Sequence, residues 1–133
     1  MLSKPVHGWS SFRLGDFHTE INYLTDIPFS WLESIHQGLT QHLPIILRMD
    51  TGDSEAYINL SGDTTHIVVE KEKQLYVRPC DIDCHSFARE LIHDLKRNFD
   101  DWVRWLDQDA ASDKLDGRRH ALYKLIAGVE ALL

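Results

Sequence analysis

Apolar and polar positions alternate at Phe17, Thr19, Ile21 and Tyr23, with His18, Glu20 and Asn22 between them. That period of two predicts a strand over residues 16–24 with one buried face. Residues 8–14, which hold Trp9 and Phe12, predict its partner through the turn at Gly15-Asp16. The period then lengthens, and Phe29, Leu32, Ile35, Leu39 and Leu43 fall on one helical stripe running to about His42. Thr25 and Asp26 offer oxygens to the first free amides of this helix, Pro28 suits its first turn, and Pro44 ends it. Trp31 projects from the edge of the stripe, where a tryptophan can serve as an interface anchor.

Four short strands follow over residues 44–50, 55–60, 64–70 and 74–78, broken at Thr51-Gly52-Asp53, Ser61-Gly62-Asp63 and Lys71-Glu72-Lys73. Connections this short join only antiparallel neighbours, so the pattern is a meander. Asp81 or Asp83 then caps a long helix over about residues 84–107, whose apolar arc includes Phe87, Leu91, Leu95, Phe99, Trp102 and, at its margin, Trp105. A polar stretch, 107–116, ends at Asp116, which can cap the last helix, 117–133. The order ββαββββαα predicts one α+β domain over residues 1–133: an antiparallel sheet of five to six strands with three helices packed mainly on one face.

Charge narrows the partners. The 133 residues carry 14 Lys+Arg against 21 Asp+Glu, a net of −7. Three basic and eight acidic residues lie in 1–66, so the first half is the more acidic. Phosphate binding depends on lysine and arginine, so nucleic acid and anionic membrane are disfavoured and a basic protein partner is expected. No apolar run approaches the length of a membrane span, and the opening Met1–Val6 lacks the apolar stretch of a secretory signal, so the expected location is the cytosol.

Candidate chemistry adds little. Cys80 and Cys84 are too close to staple much chain and are expected as free thiols. Cys80, Cys84, His85 and His93 have zinc-compatible side chains, but on the helix Cys84 and His93 point in opposite directions, so no metal and no other cofactor is expected. There is no phosphate loop, nucleophile elbow or His-Glu-x-x-His pair. One polar sheet face, on which alternation places His18, Glu20, Asn22, Arg48, Asp50, Tyr57, Asn59, His66, Tyr76 and Arg78, has the groups for a metal-independent phosphodiesterase acting through His18, Glu20 and His66. A plain or partner-binding surface is the simpler reading of the same face.

Trp9, Phe12, Asp16-Phe17, the segment Tyr23-Leu24-Thr25-Asp26-Ile27-Pro28, the later Leu91-Ile92-His93-Asp94-Leu95, and Trp102 with Trp105 carry a family likeness. In these positions the chain resembles the small acidic immunity proteins of bacterial polymorphic-toxin and contact-dependent growth-inhibition systems. The resemblance implies a cytosolic, non-enzymatic protein that binds a cognate toxin domain and neutralises it. Such toxins are often nucleases with basic surfaces that an acidic inhibitor can cover. It assigns no binding residue. Charge and exposure alone nominate Asp50, Asp53, Glu55 and Asp63, whose only nearby cation is Arg48, together with Trp31. Oligomeric state is left open, with residues 8–14 as an edge strand able to pair with another chain.

Overall fold

Local turn chemistry builds the first strand pair. β1 (Trp9–Leu14) and β2 (Phe17–Asn22) run antiparallel, with Phe12 opposite Thr19 and Leu14 opposite Phe17. The free edge expected on β1 is already taken. Val6 and Trp9 exchange backbone bonds (2.8 and 3.0 Å) around His7-Gly8, and Ser3 N donates to Ser11 O (3.0 Å), so residues 1–6 lie along β1. The computed structural model describes residues 1–133.

The meander forms a second sheet, β3 (Ile45–Asp50), β4 (Glu55–Ser61), β5 (Thr64–Lys71) and β6 (Gln74–Cys80), in that order and antiparallel throughout. The single sheet of five to six strands expected from sequence is therefore two sheets, of two and four strands. No backbone ladder joins β2 to β3. The bridge is a side chain, Asn22 Nδ2 donating to Asp50 Oδ1 at 3.0 Å.

Alternation in β3 and β4 is strict, and Leu47, Met49, Ala56, Ile58 and Leu60 are buried on one face. Against this face packs α1 (Ile27–Gln41), which also packs against α4 (Asp116–Glu130). Its buried stripe is Ile27, Pro28, Trp31, Leu32, Ile35 and Gly38, while Phe29 and Leu39 are only partly buried and Leu43 is exposed. Gly38 is required there, because a Cβ would stand 2.2 Å from Ile45 Cγ1.

The expected three helices become four. The long helix ends at Arg97 and resumes as α3 (Phe99–Val103) after α2 (Cys84–Arg97), because Asn98 leaves the helical region (φ −123°, ψ 43°). The break turns Trp102 and Trp105 inward together, with ring centroids 4.9 Å apart and both rings buried. A 3₁₀ turn over Ser112–Leu115 buries Leu115 within the expected loop. Phe87, Leu91 and Leu95 of α2 are fully buried, as the apolar arc predicts.

Two expected caps fail and one holds. Asp83 caps α2, its side chain accepting from Ser86 N at 2.8 Å. Asp26 makes no capping bond and instead binds Arg118 through both oxygens (2.7 and 2.9 Å). Asp116 is the first residue of α4 and pairs with Arg119 at 2.7 Å.

Candidate partner-binding surface

The turn between β3 and β4, Thr51–Ser54, is held from several directions. Thr51 Oγ1 donates to Ser54 O (2.8 Å) and accepts from Ser54 N (3.2 Å). Asp50 Oδ1 accepts from Gly52 N (2.9 Å) as well as from Asn22 Nδ2. Asn22 is buried, and its Oδ1 accepts from Leu24 N at 2.9 Å. One amide side chain thus fixes the end of β2, the chain after it and the end of β3.

This clip places aromatic rings beside the turn. Gly52 has φ +91°, a conformation that favours glycine, and its open side receives the Trp9 ring, 3.2 Å from where a Cβ would be. Gly8 (φ +76°) does the same for Tyr23, whose Cδ1 lies 2.8 Å from that virtual Cβ. Trp9 is 42% and Tyr23 49% exposed, and Val6, bridged to Trp9, and Leu24, next to Tyr23 in the chain, are more exposed still. Large apolar side chains held this openly beside polar loops are the usual anatomy of an interaction surface.

The carboxylates divide. Glu55 accepts from Tyr57 Oη (2.8 Å) and from Arg48 Nη2, and these two bonds hold its carboxyl below the usual range while raising Arg48 and Tyr57. It is therefore compensated, contrary to the expectation of free charge. Asp50 is tied to Asn22 and Gly52. Asp53 has only the Thr51 hydroxyl, at 3.3 Å, and is in no ion pair, so it is the available charge of the turn.

Two nominated residues fall elsewhere. Trp31 is fully buried, its Nε1 donating to Arg48 O at 2.8 Å and its ring edge-on to Phe12, so it is core and not an anchor. Asp63 sits in the β4–β5 turn, separated from Asp53 by the length of β4, about 20 Å at the usual rise per strand residue. There it lines an open cleft of about 700 Å³ with Asp81, Asp83, His85 and Glu90. Asp83 is held low by its bonds to Ser86, and Asp63, Asp81 and Glu90 enter none of the ion pairs.

The histidines do not converge. His18 faces Glu20 on β2, Nε2 to Oε1 at 3.6 Å, whereas His66 lies on β5 opposite Asn59 and Pro79, in the other sheet. Register also removes Tyr76 and Arg78 from the polar face, because they stand opposite Val69 and Ile67. Both cysteines are free, and burial pushes both thiols up. No group of three or more His, Cys, Asp or Glu side chains is placed to hold a metal ion.

Trp9 and Tyr23 were missed as surface residues although parity along β1 signals the first. Phe12 points inward, so Trp9, an odd number of positions away, faces out. No helix is long and apolar enough to cross a membrane. The chain has no match among protein-family models, curated proteins or solved structures.

Proposed function

We propose that the protein is an immunity-type inhibitor that binds a basic toxin domain in the cytosol and neutralises it without catalysis. The observation that carries this reading is the shelf of Trp9 and Tyr23, seated on Gly52 and Gly8 beside the unpaired Asp53. Rings fixed in place lose little freedom on binding and supply the apolar centre of an interface. The net charge of −7 and the open acidic cleft around Asp63 favour a basic partner and fast, steered association. The phosphodiesterase reading has no comparable support, since His66 is in a different sheet from His18 and Glu20.

The test is co-expression with the product of the adjacent upstream gene, co-purification, and surface plasmon resonance on the isolated pair. Trp9→Ala is expected to cost at least about 2 kcal/mol of affinity, mostly through faster dissociation. Asp53→Lys is expected to slow association and flatten its salt dependence. Unchanged kinetics in both variants would remove this surface from the interface. Metal-independent RNA cleavage by the purified chain, lost in His18→Ala, would overturn the inhibitor reading.

A further inference from the structure

The far edge of the four-stranded sheet presents a second surface, independent of the one above. β6 has no neighbour beyond it, and Leu75, Tyr76 and Val77 are 68, 54 and 61% exposed. The strand's backbone parity follows from its turn. Glu72 and Lys73 both have positive φ (52° and 64°) and form a two-residue hairpin loop closing on Lys71 and Gln74. A closing pair exchanges both backbone bonds, so even-numbered residues of β6 spend their N–H and C=O on β5, and Leu75, Val77 and Pro79 turn theirs outward. Pro79, which has no N–H, fits the outward position and ends the usable edge.

We infer that β6 pairs with β6 of a second copy of this chain, antiparallel about Tyr76, to make one continuous sheet of eight strands. This register places Leu75 opposite Val77 of the other copy, twice by symmetry, and these are the residues whose backbone groups point outward. Their side chains lie on the outer face in line with Val68, which stands opposite Val77, so pairing also joins two apolar patches. Charge agrees with the register. Arg78 comes two positions from Glu72 of the other copy, and Asp81 two positions from Lys73, within diagonal reach of long side chains. A shift by two residues in either direction keeps only one of these charge pairs and sets Leu75 against Leu75 or against Pro79 of the other copy. The edge is three strands from β3, so each copy keeps its Trp9 shelf open and the dimer presents two partner-binding surfaces.

Analytical ultracentrifugation across roughly three decades of protein concentration tests this, with circular dichroism to confirm folding. The wild-type mass is expected to double, and Val77→Pro, which removes an outward N–H and leaves the β5 ladder intact, is expected to be monomeric. Leu75→Lys/Val77→Lys is expected to be monomeric because like charges then face each other. Leu75→Lys/Val77→Glu is expected to restore the dimer, because in this register alone lysine meets glutamate at both pairs. A wild type that stays monomeric, a dimer that survives in Leu75→Lys/Val77→Lys, or a Leu75→Lys/Val77→Glu variant that stays monomeric would each overturn the inference. A monomer whose Val77→Pro variant loses the toxin complex would assign the edge to the toxin instead.

Discussion

Arg118 of α4 clasps Asp26, 92 residues earlier, with Nη1 and Nη2 on the two carboxylate oxygens at 2.9 and 2.7 Å. The same guanidinium donates Nε–H to Val103 O (2.8 Å) and lies 4.5 Å over the Phe29 ring. One side chain thereby ties the start of α1, the end of α3 and α4 together. Both partners are less than a third exposed, so screening is partial and the pair counts toward stability. Arg118→Ala is expected to cost about 1.5–3 kcal/mol in urea unfolding. Arg118→Lys is expected to recover little, since an ammonium cannot make the planar, two-pronged pair of hydrogen bonds.

Asn22 is the joint between the two sheets. Asn22→Ala leaves the Leu24 amide without its partner and Asp50 Oδ1 with Gly52 N alone, and is expected to cost about 1–3 kcal/mol. It is also expected to weaken binding of the proposed partner, because the Thr51–Ser54 turn and Leu24 lose their common support. A calorimetric melt and the resonance assay measure the two effects separately.

At the tip of the β5–β6 hairpin, Glu72 and Lys73 hold a left-handed backbone that side chains with a Cβ resist. Replacing them with Asn-Gly, the pair this turn prefers, is expected to raise stability by about 1–2 kcal/mol. Thermal denaturation reads the gain directly.

Asp83 gives a pH signature. Its carboxyl is held below the ordinary value by the Ser86 bonds, so its folded-state pKa is lower than its unfolded one. The stability it contributes is therefore present above the unfolded value and is lost as pH falls through the folded one. Asp83→Ala is expected to melt below wild type at neutral pH, and the two curves are expected to converge in strong acid. Glu55, lowered by Tyr57 and Arg48, adds to the acid-side loss in both proteins.

The alternation at Phe17–Ile21, the meander breaks and an aspartate cap at residue 81 or 83 were legible in the sequence because each rests on residues within a few positions of one another. The alternation fails at Asn22, which is buried, and at Tyr23, which lies outside β2 and is exposed. What was not legible has a distant partner. Asp26 stands where a cap belongs, yet Arg118 outcompetes the local amides. For Trp31, helical period alone does not choose between two adjacent stripes. The choice is made by the Arg48 carbonyl and the Phe12 ring, both contributed by other elements. The continuous apolar arc through residue 106 hides the break at Asn98, which a short polar residue allows and the burial of both Trp102 and Trp105 rewards. The candidate surface depends on Gly8 and Gly52 accepting rings from elsewhere in the chain, a contact that no spacing rule announces.

These distant anchors also set an order of events during synthesis. Every strand of β3–β6 pairs with its sequence neighbour, so the meander can close soon after Cys80 leaves the ribosome. The leading segment cannot settle so early: Leu2 N waits for Asp94 (2.8 Å), Thr25 O for Trp105 Nε1 (2.9 Å), and Asp26 for Arg118. At roughly 5–20 residues per second, a separation of 92 residues is a delay of about 5–20 s. During that interval the hairpin of β1 and β2 has its own turn but no seat, and its apolar face is open to chaperones or to aggregation.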